Sequence, residues 1–374
     1  MSDVVRSHTL SLGIVGLPNA GKSSLFNALT KKAVPAENFP FCTIDKNVGV
    51  VEIPDERLRA LSNFFNAKKI VPSVMTFVDI AGLVKGASKG EGLGNQFLSH
   101  IREVDVIVYV LRAFSSGEIV HVYNRVNPVE DFEIVQAELI FKDLETVEKK
   151  VLSVKRESKS GITKEAEMRI SVLERIEKGL NEGIPVIDMD FNIQEKEFVK
   201  SLWLLTAKQR LFLLNCKEGL DEESISKWES ELMEISNDSE KEYIVRVDVK
   251  LLSDLAGMSG EEFNEYIELL GGKPTTVEDV IMYAYKRLNL LTFYTGSEKE
   301  CNSWTIEAGA SVKDAAGVIH SDLAKNFITA DVVNVEEMLK VGGWVKAKEE
   351  GLVKNHGKEY VVKDGDYIVI LANS

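Results

Sequence analysis

The chain has 374 residues and a formal net charge of −14, with 44% hydrophobic and 28% charged residues. This length exceeds what one ordinary core supports, so we expect two or three domains. The acidic balance argues against a surface that coats nucleic acid throughout, and no run of about eighteen apolar residues offers a membrane span. Residues 1–6 lack the segments of a signal peptide and the three cysteines lie far apart, so we expect a cytoplasmic protein without membrane partners.

Four short apolar runs predict buried strands of a parallel sheet, because they are rich in branched or large residues and do not alternate with polar ones. The runs are Leu10–Gly16, Val74–Val78, Val106–Leu111 and Leu211–Leu214. The first run ends in glycine, after which we expect a loop and then a helix from Ser23 to about Thr30. The sequence therefore predicts an α/β fold with a mostly parallel, doubly wound sheet.

Between the third and fourth runs the chain is charged, poor in glycine and periodic by threes and fours. This pattern predicts two antiparallel helices joined by a turn at Ser158–Gly161. They form a helical hairpin inserted into the sheet domain. The expected buried stripes are Ile134, Ala137, Phe141, Leu144, Val151 and Val154 on the first helix, and Met168, Val172, Ile176 and Leu180 on the second.

From about Asn289 the sequence changes to short strands with turn signals. Lys358–Val362 and Tyr367–Leu371 flank the turn Lys363–Asp366 and predict a β-hairpin. A helix is expected near Ser311–Ile319, since apolar residues share one of its sides. This region is predicted to be a small α+β module.

Gly16–Ser23 matches the pattern G-x-x-x-x-G-K-[ST] and lies between a predicted strand and a predicted helix, as a phosphate-binding loop requires. Glycines let successive N–H groups point at phosphate oxygens, and the helix amino terminus adds positive charge. Lys22 is expected to bridge the outer phosphates, and Ser23 to bind Mg²⁺. The predicted nucleotide contacts of this loop are Asn19, Ala20, Gly21, Lys22, Ser23 and Ser24.

A second element of the site follows the strand that ends at Val78. Asp79-Ile80-Ala81-Gly82 fits the D-x-x-G pattern, in which Asp79 holds Mg²⁺ through water and the Gly82 N–H senses the γ-phosphate. Thr43, on the loop between these two elements, is a further candidate for the Mg²⁺ shell. Taken alone, a single loop threonine is equally compatible with a structural role.

Asn215-Cys216-Lys217-Glu218 follows the fourth strand, where G-proteins place N-K-x-D to bind guanine. The aspartate of that motif accepts hydrogen bonds from guanine, and its lysine stem lies over the base. Here Cys216 replaces the lysine and Glu218 is one methylene longer than aspartate, so the guanine contacts are misplaced. These residues argue against strict guanine selection more firmly than they argue for adenine.

These elements, with the segment Asp79–Leu98, closely resemble the YchF family of Obg-like ATPases over nearly the whole chain. The resemblance implies a P-loop G-domain at 1–132 and 201–288, an inserted coiled-coil arm at 133–200, and a β-grasp TGS domain at 289–374. It also implies an N-x-x-E motif that prefers ATP, with Asn215, Cys216 and Glu218 contacting the base. Val245–Lys250 departs from the family pattern after the base motif, which puts base contacts from that segment in doubt.

The motifs above do not identify the group that orients the attacking water. Ras-like enzymes place a glutamine directly after D-x-x-G, whereas this chain has Leu83. The resemblance implies His121 as catalytic beside Lys22, although a histidine flanked by valines also fits a packed, structural role. Asn19 corresponds to the potassium-binding asparagine of some related enzymes, so K⁺ is a candidate cofactor besides Mg²⁺.

The tip of the predicted arm carries a net charge of +5 within an acidic chain, which suits a phosphate backbone but also a solvated helix face. Its basic residues are Lys149, Lys150, Lys155, Arg156, Lys159 and Lys164, against Glu157 alone. With the TGS domain implied by the resemblance, we expect a monomer that hydrolyses ATP, and GTP less well, and binds the large ribosomal subunit or its RNA. The alternative is a nucleotide-gated, protein-binding switch in stress signalling with very low turnover; a small-molecule kinase is disfavoured because no lid or acceptor motif is evident.

Overall fold

The structure is a computed structural model that describes residues 10–31, 48–79, 104–115, 125–157, 163–217, 220–236, 243–258, 260–270, 272 and 274–373. The chain divides into two compact units. The larger unit comprises Ser11–Gly49 and Phe77–Tyr283, and the smaller unit comprises Met1–Leu10, Val50–Thr76 and Ala284–Ser374. Within the described residues, no helix has both the length and the apolar character needed to cross a bilayer.

The described residues form twelve strands and thirteen α-helices. The strands are β1 (Leu10–Val15), β2 (Val48–Glu52), β3 (Ile70–Val71), β4 (Val74–Asp79), β5 (Val106–Arg112), β6 (Gln209–Asn215), β7 (Ile244–Val247), β8 (Leu290–Gly296), β9 (Cys301–Glu307), β10 (Phe327–Asn334), β11 (Lys354–His356) and β12 (Asp366–Ala372). The helices are α1 (Lys22–Thr30), α2 (Glu56–Phe65), α3 (Pro128–Glu157), α4 (Lys164–Asn181), α5 (Ile193–Ser201), α6 (Glu222–Ile235), α7 (Val249–Leu255), α8 (Gly260–Leu270), α9 (Val277–Arg287), α10 (Val312–Ile319), α11 (Ser321–Lys325), α12 (Val335–Lys340) and α13 (Trp344–Glu349).

The first six-stranded sheet has the order β2, β4, β1, β5, β6, β7. Its neighbours β1–β5, β5–β6 and β6–β7 pair in parallel, so the carboxyl ends of these strands share one edge of the sheet. All seven residues of β5 are buried, as expected for a central strand covered on both faces. The four strands and the first helix predicted from the apolar runs are confirmed.

An aromatic cluster joins this sheet to the beginning of α3. The Tyr109 ring centroid lies 5.0 Å from that of Phe132 and 5.6 Å from that of Phe212. The Tyr109 hydroxyl donates a 2.7 Å hydrogen bond to Gln136 Oε1, so the buried phenol keeps a polar partner. These contacts fix the root of the arm on the sheet.

Helices α3 and α4 form the predicted helical arm, and their shared core contains Val147, Val151, Val172 and Ile176. The predicted stripe on α4 is confirmed. On α3 it is wrong at Ala137 and Phe141, which are exposed, Phe141 to 66%. The reason is that α3 packs first on the sheet and only later on α4, so its buried side does not follow one continuous stripe.

The smaller unit contains the second sheet, with the order β11, β10, β12, β8, β9, β3. Strands β8–β9 and β10–β12 pair antiparallel, whereas β12–β8 pair in parallel, and α10 packs on the sheet through Val312 and Ala315. This is the arrangement expected of a β-grasp module. A capping box between Ser311 and Asp314 begins α10, which confirms the helix predicted there.

The β-hairpin predicted at residues 358–371 is wrong. Strand β12 pairs with β10 on one side and with β8 on the other, so neither side remains for the preceding segment. Of that segment, Val361 forms an isolated bridge with Ser311. The chain does turn at Lys363–Asp366, as the sequence predicts. The turn does not, however, make β12 pair with the segment that precedes it.

Residues 55–73 pack on the β-grasp module within the smaller unit. Strand β3 pairs in parallel with β9, and Leu58 and Leu61 of α2 enter a core with Tyr294. The Tyr294 hydroxyl donates to Asp55 Oδ2 at 2.8 Å, and Arg57 Nη1 lies 2.6 Å from Asp364 Oδ2. The smaller unit is thus completed by a segment that precedes the module by more than two hundred positions in the sequence.

Candidate nucleotide-binding site

The backbone of the loop between β1 and α1 requires glycine at two positions. Gly16 has φ +153°, and a Cβ there would lie 2.4 Å from the Val110 carbonyl oxygen. Gly21 has φ +105°, and a Cβ there would lie 2.6 Å from Asn215 Nδ2. Asn19 adopts the left-handed conformation with φ 63°, which asparagine tolerates better than most residues. The loop therefore passes close to the ends of β5 and β6.

Helix α1 begins directly after this loop without a side-chain cap at Gly21. The first helical hydrogen bond of the main chain runs from the Leu25 N–H to the Gly21 carbonyl at 2.9 Å. The N–H groups of the first turn thus remain for a ligand, and the hydroxyl-bearing residues Ser23 and Ser24 are exposed beside them. An uncapped helix start with positive dipole charge suits a phosphate group.

Lys22 and Asp79 form the charged centre of the site. The Lys22 ammonium donates a 2.8 Å hydrogen bond to the Leu17 carbonyl oxygen. Burial lowers the pKa of Lys22, and the charge of Asp79 opposes that change. Burial likewise raises the pKa of Asp79, and the charge of Lys22 opposes it. The two groups therefore stabilise each other in their ionised forms at the end of β4.

The environment of Asp79 fits a divalent cation. Its Oδ1 atom is buried and has no hydrogen-bond partner among the described residues. Hard cations such as Mg²⁺ take oxygen ligands, and carboxylates and hydroxyls provide them in phosphate sites. Asp79 and Ser23 are the described residues that would hold the ion. Thr43 and Gly82, which were predicted to complete this part of the site, lie outside the described residues.

Asn215 lies at the end of β6 and joins three elements of the site. Its Nδ2 donates to the Ala20 carbonyl oxygen at 2.9 Å, and its Oδ1 accepts from the Val249 N–H at 3.2 Å. The side chain is 5% exposed. The structure thus gives Asn215 a positioning role between the phosphate loop and the start of α7. Its contact with the base stays a prediction.

The segment after β7 is the one whose sequence departs from the family pattern. The Asp248 carboxylate caps α7 by accepting hydrogen bonds from the N–H groups of Lys250 and Leu251, at 2.9 and 3.0 Å. The Cys216 N–H donates to the Val247 carbonyl at 2.8 Å. The two loops that follow β6 and β7 are therefore held together by their main chains.

Cys216 is a neutral group in this site. Burial raises the pKa of its thiol to about 11. Because a thiol with a raised pKa stays protonated below that value, its thiolate forms only as the pH rises toward about 11. Cys216 therefore carries no charge at neutral pH where N-K-x-D proteins carry a lysine.

This pKa predicts slow alkylation of Cys216. At pH 8 its thiolate fraction is lower than that of an ordinary cysteine by roughly 100-fold. We expect iodoacetamide to modify Cys216 correspondingly more slowly than N-acetylcysteine in the same tube, as followed by peptide mass spectrometry. Equal rates for the two thiols would contradict the partly buried, neutral state of Cys216.

Arg112, Phe114 and Lys217 also meet beside this site, and sequence reasoning missed them. Arg112 ends β5 and is 2% exposed, while Phe114 is 6% exposed. The available signal was an arginine at the end of a strand whose other residues are apolar. Three residues singled out from the sequence lie outside the described residues. They are His121, expected in catalysis, Glu218, expected at the base, and Leu83, which stands where Ras-like enzymes have a glutamine.

Comparisons with known proteins agree with this geometry. A family model described as a 50S ribosome-binding GTPase matches residues 11–154, and the YchF-GTPase_C model, described as a protein of unknown function (DUF933), matches residues 290–373. The ribosome-binding ATPase YchF of Bacillus subtilis (strain 168) is 44% identical over 360 residues, covering 96% of this chain and 98% of that protein. The protein of the same name from Escherichia coli O157:H7 is 42% identical over 361 residues, with the same coverage.

A solved structure extends this similarity to three dimensions. The Schizosaccharomyces pombe YchF GTPase matches with a TM-score of 0.80 at 35% identity, and the match covers 97% of this chain and 98% of that chain. Similarity of sequence and of structure therefore spans both units. The chain belongs to the YchF family.

Proposed function

We propose that the protein is a Mg²⁺-dependent ATPase that binds the ribosome in a nucleotide-dependent manner. The observation that carries the proposal is the Lys22–Asp79 pair beside the uncapped start of α1. The bacterial relatives are named ribosome-binding ATPases, which supports both parts of it.

The chemistry assigned to these residues is positioning and charge stabilisation. The first-turn N–H groups of α1 and the Lys22 ammonium bind the phosphate oxygens and stabilise the negative charge that develops during transfer. Mg²⁺, when bound, supplies further positive charge to the phosphate oxygens. Ser23 would hold that ion directly and Asp79 would hold it through water, with Thr43 as a further ligand. We assign the orientation of water to His121, since Leu83 has no group for it.

The choice of ATP over GTP rests on the base motif. The neutral, partly buried Cys216 provides no charged stem over a base, and Glu218 replaces the aspartate that binds guanine. The names of the relatives differ on this point, since the S. pombe protein is called a GTPase. Titration of the protein with ATP and with GTP in Mg²⁺ tests the choice. Tighter binding of ATP is expected, and tighter binding of GTP would reject the assignment.

Three finer assignments accompany this proposal. Asn19 is proposed to bind K⁺, so that phosphate release should be faster in KCl than in NaCl. The protein is proposed to act as a cytoplasmic monomer. The helical arm and the β-grasp module are proposed to contact the large subunit or its RNA. The rival function, a protein-binding switch, predicts nucleotide-dependent partner binding with no stimulation of turnover by ribosomes.

The arm prediction can be tested by charge reversal of exposed residues. Lys149, Lys150 and Arg156 are exposed, whereas Lys155 lies 3.1 Å from Glu174 and is partly neutralised. Changing the first three to glutamate should weaken ribosome binding about tenfold or more in moderate salt, because contacts to phosphates are lost. Co-sedimentation with ribosomes at several salt concentrations measures this.

A matched control changes the net charge equally at another place. Lys196, Lys200 and Lys227 are also exposed lysines of the larger unit, away from the arm tip in the sequence, and Lys227 lies 3.7 Å from Glu231. Reversal of these three charges should leave binding unchanged. If both triple variants bind equally, the arm tip is not the contact.

A further inference from the structure

Arg112 has a position that the phosphate chemistry does not explain. It is the largest fully buried side chain among the described residues, at the carboxyl end of the central strand β5. Burial lowers its pKa, and the charge of Asp131 at the root of the arm opposes that change. An aliphatic side chain would end this strand without the cost of burying a charge, so the directional contacts of the guanidinium need a reason.

Two contacts of the Arg112 guanidinium are made with Phe114. Arg112 Nε donates a 3.0 Å hydrogen bond to the Phe114 carbonyl oxygen, and Arg112 Cζ lies 4.6 Å from the centroid of the Phe114 ring. A cation at this distance is attracted by the face of the ring. The main chain and the ring of Phe114 are therefore both held by the same guanidinium.

The Phe114 ring also contacts the base motif. Lys217 Nζ lies 4.8 Å from the ring centroid, and Lys217 is the third residue of Asn215-Cys216-Lys217-Glu218. The main chains are joined as well, because Arg112 is in register with Asn215 and the Ala113 N–H donates to the Asn215 carbonyl at 3.0 Å. One aromatic ring thus connects Arg112 to the loop that follows β6.

We propose that Arg112 is a positioning residue for the base side of the nucleotide site, and that it acts through Phe114 and Lys217 on residues 216–217. The inference rests on the proposed function, since it deepens the account of the same site. The triphosphate is bound by the loop before α1, whereas the base depends on the orientation of the loop after β6. Loss of Arg112 therefore weakens binding of a nucleotide with a base, and spares binding of a bare triphosphate.

The experiment compares the affinities for ATP and for inorganic tripolyphosphate in Mg²⁺. The ratio of the affinity for ATP to the affinity for tripolyphosphate reports the contribution of the base and ribose, because both ligands bind the phosphate loop. Arg112→Met should lower the affinity for ATP about tenfold, through loss of one hydrogen bond and one cation–π contact, and leave that for tripolyphosphate unchanged. Arg112→Lys keeps a cation near the ring and should give an intermediate ratio.

Two further variants separate positioning from general stability. Arg210 is also buried, at 4% exposure, and is the second residue of the neighbouring strand β6, where it pairs with Asp188 at 2.8 Å. Arg210→Lys should lower the melting temperature as Arg112→Lys does, but keep the wild-type ratio. Lys217→Met changes an exposed side chain, so it should fold normally and lower the ratio in the same direction as Arg112→Met.

The outcomes distinguish this inference from the proposed function. If the wild type binds ATP no better than tripolyphosphate, the proposed nucleotide function fails and the inference fails with it. If the wild type prefers ATP but the Arg112 and Lys217 variants keep its ratio, the function stands and the positioning role is overturned. An Arg210→Lys ratio that falls as far as that of Arg112→Lys also overturns it. Should Arg112→Met not fold, Lys217→Met and Arg112→Lys decide.

Discussion

Replacing Lys22 with methionine is expected to lower the turnover of ATP by about 100- to 1,000-fold, since a preorganised positive charge on the transferred phosphoryl group is lost. The ammonium is held in place by its 2.8 Å hydrogen bond to the Leu17 carbonyl oxygen. Phosphate release under single-turnover conditions measures the loss.

The same substitution should make Mg²⁺ binding more sensitive to pH. Lys22 is the charge that opposes the upward shift of the Asp79 pKa caused by burial. Without it the Asp79 pKa rises further, so the ionised carboxylate is lost at a higher pH and cation affinity increases as the pH increases. An unchanged pH dependence of Mg²⁺ affinity would contradict the coupling between the two groups.

Lys31 provides the control for this substitution. It is an exposed lysine just after α1, and its ammonium donates to the Ser253 carbonyl at 2.6 Å. Lys31→Met removes the same charge from the other end of the same helix. Wild-type turnover is expected for this variant, and a comparable loss in both variants would show that the effect is not local to the phosphate site.

Replacing Asn215 with aspartate is expected to weaken ATP binding by about 100-fold, because an unpaired buried charge costs several kcal/mol. The two side chains have nearly the same shape. Aspartate can still accept from the Val249 N–H but cannot donate to the Ala20 carbonyl, so two acceptors face each other at the phosphate loop. Calorimetric titration with ATP measures the change.

The exposed Asn181 makes a matched hydrogen bond in the arm. Its Nδ2 donates to the Glu177 carbonyl at 2.8 Å. Asn181→Asp loses the same donor in contact with solvent and should bind ATP as the wild type does. If Asn215→Asp also binds ATP normally, the link between the base motif and the phosphate loop does not control the site.

The phosphate loop and the parallel sheet could be predicted because their signals are local. An apolar run, a glycine at each end of Gly16–Gly21 and a lysine before the helix specify a strand, a tight loop and an anion site in one stretch of chain. The structure adds the contacts that the loop makes with neighbouring strands. A Cβ at Gly16 is excluded by Val110, and one at Gly21 by Asn215, both of which are distant in sequence.

The base motif illustrates the limit of this reasoning. Its position after β6 was predicted, but the bonds from Asn215 to Ala20 and Val249 arise only when three strand ends meet at one edge of the sheet. Arg112 was missed for the same reason. On its own it is an arginine at the end of an apolar strand, and its contact with Phe114 requires the turn that the folded chain makes there.

The remaining errors come from competition between packing partners. Phe141 is exposed because the first part of α3 packs on the sheet and the later part packs on α4. A single stripe of apolar residues does not encode this change of packing partner. The pairing of β12 with β8 and β10 displaced the expected hairpin. The packing of Asp55 and Arg57 on the β-grasp module had no sequence signal, since their partners lie more than two hundred residues away.

The assignment of a ribosome-stimulated ATPase is tested by the rate of phosphate release from ATP as ribosomes are added, with GTP in a parallel series and the Lys22→Met variant as background. The assignment predicts a rate above that background, faster with ATP than with GTP, which rises to a plateau as ribosomes are added. A rate equal to that of the Lys22→Met variant at every ribosome concentration, or a faster rate with GTP, would contradict it.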